Sequence, residues 1–274
     1  MSATQTASVK ISCRGVRKSY AATKSAVEPV LALDDVTFDV RQGEIFSLVG
    51  PTGCGKSTSL NLLAGFETPT VGEVLVNGRS VEGPGPDRAV VFQQAALFPW
   101  MTVFDNVVLG VKSQGMDKAE YTARADELLT AVGLEAFRKH YPYQLSGGMQ
   151  QRTQIARALV SHPQVLLMDE PFGALDYQTR LLMQELLLKL WEQFSPTIFF
   201  ITHDVTEAIF ISDSVAVMSA RPGRLKLRLP VPYDKPRTMD FLSTPEFGEL
   251  EHQVLTAVQE EFASADSARK KVDS

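Results

Sequence analysis

The sequence is poor in cysteine and has no long apolar segment. Only two of its 274 residues are cysteines, Cys13 and Cys54, so a framework of several disulfides is excluded. No segment approaches the roughly 18 consecutive apolar residues that a membrane-spanning helix needs. The first residues, 1–9, are polar and lack an apolar signal region, so we do not expect export. These absences together predict a protein of a reducing compartment.

An excess of basic residues is also missing. The formal net charge is -5 at pH 7, whereas non-specific binding of nucleic acid usually requires a basic face. We therefore do not expect nucleic acid as a partner. Hydrophobic residues make up 44% of the chain and charged residues 22%, which is typical of a folded globular protein. The length predicts one or two domains with a real core.

Apolar patterning predicts an α/β fold with a mostly parallel sheet. Val36, Phe38 and Val40 alternate with polar residues, as in a half-buried strand. Asn77-Gly78 is typical of a tight turn between strands. Further strands are predicted at 44–49, 73–76, 88–92, 165–168, 198–201 and 215–218. Helices are predicted at about 56–64, 118–132, 146–160 and 177–194. Strands separated by helices indicate a parallel sheet with helices on its faces.

The helical residues 95–160 interrupt this alternation, and we interpret them as an inserted subdomain. Pro230, Pro232 and Pro236 mark a break near the end of the chain. Apolar residues then recur at helical spacing, namely Phe247, Leu250, Val254, Val258 and Phe262. We predict a main domain over 9–229 and a C-terminal extension over 230–274 that ends in an amphipathic helix.

The clearest chemical motif is Gly50-Pro51-Thr52-Gly53-Cys54-Gly55-Lys56-Ser57, which is followed by Thr58. It fits G-x-x-x-x-G-K-[ST] and lies between a predicted strand and a predicted helix, the context in which this pattern binds phosphate. Glycines let backbone amides approach phosphate oxygens, and the helix start adds partial positive charge. We expect Lys56 to bridge the β- and γ-phosphates and Ser57 to bind Mg²⁺. The alternative is a chance glycine-rich turn.

Cys54 lies within this loop, close to Lys56 and to the start of a helix. Both neighbours should lower the pKa of its thiol. A reactive thiol and an unreactive bystander both remain open at this point.

A second motif is the apolar strand at 165–168, which ends in Asp169 and Glu170. In nucleotide-binding sheets, ligands lie beyond the carboxyl ends of the strands. We therefore expect Asp169 to hold Mg²⁺, directly or through water, and Glu170 to polarise the attacking water. A strand followed by a solvated turn is the alternative.

Leu145-Ser146-Gly147-Gly148-Met149-Gln150 is a second glycine-rich helix start. Ser146 is predicted as its N-cap, and the amides that follow form a second anion site. Taken alone, the segment is equally typical of a plain helix cap. Together with the phosphate loop it resembles the LSGGQ signature of the ATP-binding cassette (ABC) ATPases, with Met149 in place of the usual glutamine. The resemblance extends from about residue 9 to residue 228.

The resemblance implies a P-loop NTPase (RecA-like) core with an added antiparallel β-subdomain. It also implies a head-to-tail dimer, in which Ser146, Gly147 and Gly148 of one subunit close over the γ-phosphate held by the other. It implies four further site residues. These are Tyr20 stacking on adenine, Gln93 sensing Mg²⁺ and the attacking water, Asp176 in a loop that crosses the dimer interface, and His203 on the γ-phosphate.

Two of these assignments have alternatives. Gln94 is adjacent to Gln93 and is a competing candidate for the same role. Tyr20 is also interpretable as a half-buried strand tyrosine, because the loop at 21–29 is longer than we would expect there.

Two segments resemble the ATPase subunits of importers for nitrate, sulfonate and taurine. They are Phe98-Pro99-Trp100-Met101-Thr102-Val103 and Ser219-Ala220-Arg221-Pro222-Gly223-Arg224. An aromatic residue exposed at Pro99-Trp100 would face a membrane subunit, and the alternative is that it packs within the helical subdomain.

The resemblance thus implies the ATP-hydrolysing subunit of an importer of a small solute such as nitrate, sulfonate or taurine. It implies ATP and Mg²⁺ as cofactors, and a homodimer or a pair with a homologous ATPase subunit. The expected partners are transmembrane permease subunits and, indirectly, a solute-binding protein, at the cytoplasmic face of the inner membrane. The alternatives are an exporter ATPase and a soluble ABC ATPase without a transport role.

Overall fold

A computed structural model of the chain describes residues 8–22, 29–235 and 237–272, with side chains described up to residue 263. Expectations for residues 1–7, 23–28, Pro236 and 273–274 lie outside the described residues. The strands are β1 Val9–Tyr20, β2 Val30–Arg41, β3 Ile45–Val49, β4 Val71–Val76, β5 Arg79–Ser80, β6 Arg88–Val91, β7 Val165–Asp169, β8 Thr197–Ile201, β9 Ser214–Met218 and β10 Leu225–Pro230.

The helices are α1 Lys56–Ala64, α2 Val103–Ser113, α3 Lys118–Ala131, α4 Gly147–Leu159, α5 Tyr177–Phe194, α6 Val205–Ile211 and α7 Pro245–Val272. Short 3-10 helices occur at Glu135–Phe137, Pro142–Gln144 and Met239–Ser243. The chain divides into two compact units. Unit 1 contains Met1–Gly85 and Thr197–Ser274, and unit 2 contains Pro86–Pro196.

Unit 1 contains an antiparallel sheet in the order β2-β1-β4-β5. Val36, Phe38 and Val40 of β2 are buried and the residues between them are exposed, which confirms the half-buried strand predicted there. Asn77 and Gly78 join β4 to β5 with φ angles of 55° and 70°. Two successive positive φ values match the twist of a hairpin, so the predicted tight turn is confirmed.

The other strands of unit 1 lie in the order β10-β9-β3-β8. β3 is parallel to both β8 and β9, and all residues of these three strands are buried. Leu48 lies opposite Ile201, and Val49 lies opposite Val217. Because the three strands end at the same level, the residues that follow them meet at one edge of the sheet.

Three phenylalanines connect the antiparallel sheet to these parallel strands. Phe38 of β2 lies 5.0 Å from Phe46 of β3 and 5.9 Å from Phe199 of β8, measured between ring centroids. Phe46 and Phe199 are 5.7 Å apart. All three rings are buried, and aromatic pairs at such distances add to the free energy of burial. This cluster is part of the unit 1 core.

The C-terminal helix α7 packs on the same unit. Phe247, Val254 and Ala257 of α7 are buried in one cluster with Val205 and Ile209 of α6. Leu250 and Val258 pack against this cluster, so the predicted amphipathic helix is confirmed, although Phe262 at its far end is exposed. No helix among the described residues is long and apolar enough to span a membrane.

Unit 2 combines two parallel strands with four helices. β6 pairs with β7, and Val91 lies opposite Met168. The strand predicted over 88–92 ends one residue earlier, at Val91, and Phe92 is exposed. Helices α2, α3 and α4 pack on one another, and each contributes buried apolar residues, among them Val107, Leu128 and Ile155.

Arg237 forms a buried connection between the extension and the rest of unit 1. Its guanidinium donates to five backbone carbonyls, those of Ile209, Phe210, Ser212, Val231 and Tyr233, at 2.7–3.3 Å. Three of these carbonyls belong to the end of α6 and the residue that follows it. Helix ends leave carbonyls without intrahelical partners, so Arg237 satisfies groups that would otherwise be buried and unpaired.

We expect Arg237→Met to lower the free energy of unfolding by about 2–4 kcal/mol, because it leaves several buried carbonyls without a donor. Urea unfolding followed by circular dichroism measures this change. Arg79→Met, on the exposed strand β5, is the matched control, and its effect should stay within about 0.5 kcal/mol. Equal effects of the two substitutions would contradict the role given to Arg237.

Candidate functional site

The glycine-rich segment forms a loop between β3 and α1, as its pattern predicts. Gly55 is the N-cap of α1, with φ 100°, and a Cβ there would lie 2.5 Å from Leu33 Cδ2. Only glycine satisfies both conditions. Gly55 has no side chain that could cap the helix, so the α1 start suits an external anion.

Lys56 folds back over this loop. Its side chain is buried, with 8% exposed, and Nζ donates to the carbonyl oxygens of Gly50 at 2.8 Å and Pro51 at 3.2 Å. The loop therefore holds a positive charge at its own centre. A charge in that position attracts phosphate oxygens.

Cys54 does not have the properties that its position in the sequence suggests. The residue is 1% exposed, and its Sγ lies 3.9 Å from Lys56 Nζ. Burial raises the pKa of the thiol, and this effect exceeds the opposing influence of Lys56. The prediction of a lowered pKa was wrong. A buried thiol with a raised pKa is largely protonated at neutral pH and hence unreactive.

Tyr20 lies at the end of β1 and contacts α1. Its hydroxyl donates to Glu67 Oε1 at 2.9 Å and lies 3.4 Å from Thr58 Oγ1. Lys18 Nζ is 5.1 Å from the centre of the Tyr20 ring and 3.0 Å from Glu67 Oε2. Burial raises the pKa of Tyr20, and Glu67 adds to this. The structure thus brings Tyr20 next to the phosphate loop, and its stacking on adenine stays a prediction.

His203 follows β8 and is exposed. The preceding residue, Thr202, donates its backbone N–H to the carbonyl of Leu48 at 3.4 Å. Leu48 lies in β3 two residues before Gly50. His203 therefore lies at the sheet edge from which the phosphate loop starts.

Residues 219–224, which sequence analysis used only to assign a subfamily, lie against the phosphate loop. A Cβ on Gly223 would lie 1.9 Å from the carbonyl oxygen of Cys54, so glycine is required here by close approach. Arg221 Nε donates to the carbonyl of Gly53 at 3.4 Å. No sequence pattern indicates these contacts, because they join segments more than 160 positions apart.

In unit 2, the two acids predicted at a strand end lie where β7 stops. Asp169 is the last residue of β7, and Glu170 follows it with φ 45°. A left-handed conformation costs a residue with a Cβ about 1–2 kcal/mol. Such strained residues cluster at functional sites, where the surroundings impose the conformation.

Gln93 lies two residues after β6, and the structure brings it close to Glu170. A Cβ on Gly173 would lie 3.3 Å from Gln93 Nε2 and 3.7 Å from Glu170 Oε2. The backbone N–H of Gly173 donates to the carbonyl of Glu170 at 3.1 Å. The Gln93 amide and the Glu170 carboxylate thus both lie near Gly173, and the choice between Gln93 and Gln94 stays a prediction.

Two residues of α4 that we did not predict hold the segment around Gln93. The buried Gln151 donates from Nε2 to the carbonyl of Phe92 at 3.4 Å, and Arg157 donates to the carbonyl of Ala96 at 2.7 Å. Both follow the signature segment within one helix. The helix that carries the signature therefore also fixes the backbone on either side of Gln93.

The signature segment begins α4. Ser146 is the N-cap, as predicted, and its Oγ accepts from the backbone N–H of Met149 at 3.3 Å. Ser146 and Gly147 are exposed. Gly148 is buried, and a Cβ on it would lie 2.8 Å from Thr179 Cγ2. Because the cap bond uses a backbone N–H, substitution of glutamine by Met149 leaves it intact.

Asp176 is the N-cap of α5. Its carboxylate accepts from the backbone N–H of Thr179 at 3.0 Å and from the Thr179 hydroxyl at 2.7 Å. These hydrogen bonds lower the pKa of Asp176 below its usual value. The described contacts give Asp176 a structural role within its own subunit, and its role at a dimer interface stays a prediction.

Trp100 is 70% exposed, which favours a surface role over packing within unit 2. Its backbone is nevertheless well fixed. The buried Asn106 accepts from the N–H of Phe98 at 2.8 Å and donates to the carbonyls of Phe98, Met101 and Thr102 at 3.0–3.1 Å. A large apolar side chain is thus presented from a rigid segment.

Comparison with known proteins supports the same interpretation. The family model described as ABC transporter matches residues 33–173. The chain is 49% identical over 230 residues to the taurine import ATP-binding protein TauB of Rhizobium johnstonii, and the match covers 82% of this chain and 88% of that protein. These matches confirm the resemblance found in the sequence.

Two solved structures have the same fold. One is cbiO1 of Clostridium perfringens, part of the transporter complex cbiONQ, with a TM-score of 0.73, 25% identity, and coverage of 81% of this chain and 89% of that chain. The other is the ATP-binding cassette MJ0796, a dimer in a post-hydrolysis state bound to ADP and Pi. Its TM-score is 0.70 at 33% identity, with coverage of 82% of this chain and 100% of that chain. The predicted α/β P-loop NTPase fold is confirmed. The chain belongs to the ABC transporter family, in which it is a nucleotide-binding ATPase subunit.

Proposed function

We propose that this ATPase powers an importer of a small sulfonate such as taurine. The observation that carries the proposal is the 49% identity to a protein named as a taurine import ATP-binding protein, over more than four fifths of both chains. Two copies would bind two ATP molecules, close head to tail and drive transmembrane permease subunits at the cytoplasmic face of the inner membrane. A solute-binding protein would deliver the solute to the permease.

ATP binding is assigned to the loop Gly50–Thr58 and to Tyr20. The α1 start and the Lys56 ammonium offer positive charge to the phosphates. The carbonyls that now hold Lys56 compete with phosphate oxygens, which are stronger acceptors because they are charged. The Tyr20 ring is held at its hydroxyl and has Lys18 over one face, so the opposite face would be the platform for adenine.

Mg²⁺ is assigned to Ser57, Gln93 and Asp169. All three offer hard oxygen donors, the type that Mg²⁺ prefers, and none is a thiol or an imidazole. Among the described residues, no group of three His, Cys, Asp or Glu side chains could hold a metal alone. Asp169 would supply the one carboxylate of this set, and Mg²⁺ sites commonly combine one or two carboxylates with substrate phosphates. When bound, the ion would neutralise charge on the phosphates.

Hydrolysis is assigned to Glu170, with Gln93 and His203 orienting the attacking water. The carboxylate of Glu170 would accept a proton from the water as it attacks. The left-handed backbone of Glu170 restricts the direction of its side chain. The Gln93 amide and the Glu170 carboxylate both lie near Gly173. A base in a fixed orientation is more effective because less ordering remains to be done during reaction.

The signature segment would complete the site of the partner subunit. Ser146 and Gly147 are exposed at the start of α4, where backbone amides and the helix dipole favour an anion. Gly148 and Asp176 would shape the same surface. The MJ0796 cassette is a dimer, which supports this arrangement.

Contact with the permease is assigned to the surface around Trp100. Tryptophan is enriched at protein interfaces because it buries a large area with little loss of conformational freedom. An exposed tryptophan on a fixed backbone is therefore suited to receive a segment of the membrane subunit.

We expect Glu170→Gln to bind ATP with near-normal affinity and to hydrolyse it about 10²- to 10⁴-fold more slowly, because the amide cannot act as a base. The variant should also accumulate as an ATP-bound dimer. Phosphate release and size-exclusion chromatography with ATP measure these effects. Glu185→Gln, on α5, is the control and should hydrolyse ATP at the wild-type rate. Normal turnover of Glu170→Gln would remove this residue from the role proposed here.

We expect Trp100→Ala to reduce recovery of the permease with this subunit from detergent-solubilised membranes. Thermal unfolding of the isolated subunit should change little, because the side chain is exposed. Phe66→Ala removes another exposed aromatic ring, one that belongs to unit 1, and should leave recovery unchanged. Equal recovery with both variants would exclude Trp100 from the permease contact.

The solute is tested with the purified complex in proteoliposomes. We expect ATP hydrolysis to rise when the solute-binding protein is added with taurine, and to rise less with nitrate. Uptake of labelled taurine should depend on ATP and be lost with Glu170→Gln. Stimulation by nitrate alone would support the importer role and show that the solute is nitrate. If no membrane protein is recovered together with this subunit, the importer role is overturned.

A further inference from the structure

Residues 219–224 form a closed hairpin between β9 and β10. The backbone N–H of Ser219 donates to the carbonyl of Arg224 at 2.9 Å, and the N–H of Arg224 donates to Ser219 Oγ at 2.9 Å. Ser219 Oγ also donates to the carbonyl of Pro222 at 3.1 Å. Because these bonds close the hairpin, a displacement at one of its residues is transmitted to the others.

One side of this hairpin supports the phosphate loop. Gly223 donates to the carbonyl of Ala32 at 2.9 Å and accepts from the N–H of Asp34 at 3.0 Å, so its backbone is fixed from β2. In that position it approaches the Cys54 carbonyl so closely that a Cβ would lie 1.9 Å from it. Arg221 reaches the carbonyl of Gly53. The hairpin therefore limits how far the backbone at 53–54 can move outward.

The other side of the hairpin is held by the C-terminal helix. Glu261 of α7 accepts from the backbone N–H of Ala220 through Oε2 at 2.9 Å, and its Oε1 lies 2.8 Å from Lys226 Nζ. The side chain is 14% exposed. Burial would raise the pKa of Glu261, but Lys226 and the Ala220 amide together hold it below its usual value. Glu261 is thus an ionised acceptor with two fixed partners.

Helix α7 can hold the hairpin because it is itself anchored. Phe247, Val254 and Ala257 are buried against α6. Glu251 Oε1 accepts from the Thr206 hydroxyl at 2.5 Å, close to the start of α6 and three residues after His203. The same helix therefore contacts the segment after His203 and the hairpin that supports residues 53–54.

We propose that Glu261 is a positioning residue for the nucleotide site, which it serves by holding the 219–224 hairpin against the phosphate loop. This inference rests on the proposed binding of ATP phosphates by that loop. It gives the C-terminal extension a role in nucleotide affinity. The amides at 53–54 keep the spacing that phosphate oxygens need only while the hairpin stays in place.

The test compares Glu261→Ala with Glu260→Ala in the full-length chain. Glu260 is the preceding residue and also pairs with Lys226, at 2.8 Å, but its side chain is largely exposed. We expect Glu261→Ala to raise the Kd for ATP and ADP about fivefold, less than a whole charge-assisted hydrogen bond is worth, because the lost bond holds the hairpin and not the nucleotide. The KM should rise equally, while kcat at saturating ATP changes less than about twofold. Glu260→Ala should match wild type in all three.

Two further measurements separate positioning from general stability. Glu261→Gln should restore most of the affinity, because its amide oxygen still accepts from Ala220 and only the ion pair is lost. Amide hydrogen exchange without nucleotide should be faster at 50–58 in Glu261→Ala than in Glu260→Ala. Should Glu261→Ala fail to fold, the Kd and exchange of Glu261→Gln are compared with wild type, and we expect a smaller change in the same direction.

The outcomes distinguish the two proposals. Wild-type protein that binds no ATP would overturn the proposed function. Wild-type binding with equal Kd values for the two alanine variants would overturn only the inference about Glu261. A fall in kcat with unchanged KM and Kd would also overturn it, because it would place the effect on hydrolysis.

Discussion

Parallel pairing of β3 with β8 and β9 is the constraint on which the nucleotide side of unit 1 depends. All three strands are buried, so their register is fixed by packing as well as by hydrogen bonds. Because they end at one level, three different connections begin at one edge. These are the phosphate loop after β3, the segment with His203 after β8, and the 219–224 hairpin after β9. Groups distant in sequence thereby become neighbours.

The elements that the sequence predicted well are those encoded by local patterns. The alternation at Val36–Val40, the Asn77-Gly78 turn and the Ser146 cap depend on residues a few positions apart, and all were confirmed. The phosphate loop belongs to the same class, because its glycine pattern is recognised within one strand–loop–helix unit.

The features that the sequence did not predict depend on distant contacts. The pKa of Cys54 was predicted with the wrong sign, because nearby Lys56 is visible in the sequence and burial is not. Glu67, Arg237 and Glu261 each act on a segment at least 20 positions away, and no motif marks them. Such residues have ordinary sequence neighbours, so only the fold identifies them. The roles of the predicted site residues await experiment, although Gln93 and Glu170 do lie close to each other.

The aromatic cluster in the unit 1 core has a consequence for synthesis of the chain. Phe38 and Phe46 precede unit 2, residues 86–196, whereas Phe199 follows it. During synthesis, Phe38 and Phe46 therefore leave the ribosome well before Phe199. At about 5–20 residues per second, unit 2 alone takes on the order of ten seconds to synthesise. Unit 2 is continuous in sequence and can fold during that interval. In a nascent chain, Asp169 and Glu170 are therefore synthesised before the aromatic cluster that joins the two sheets of unit 1 can be completed.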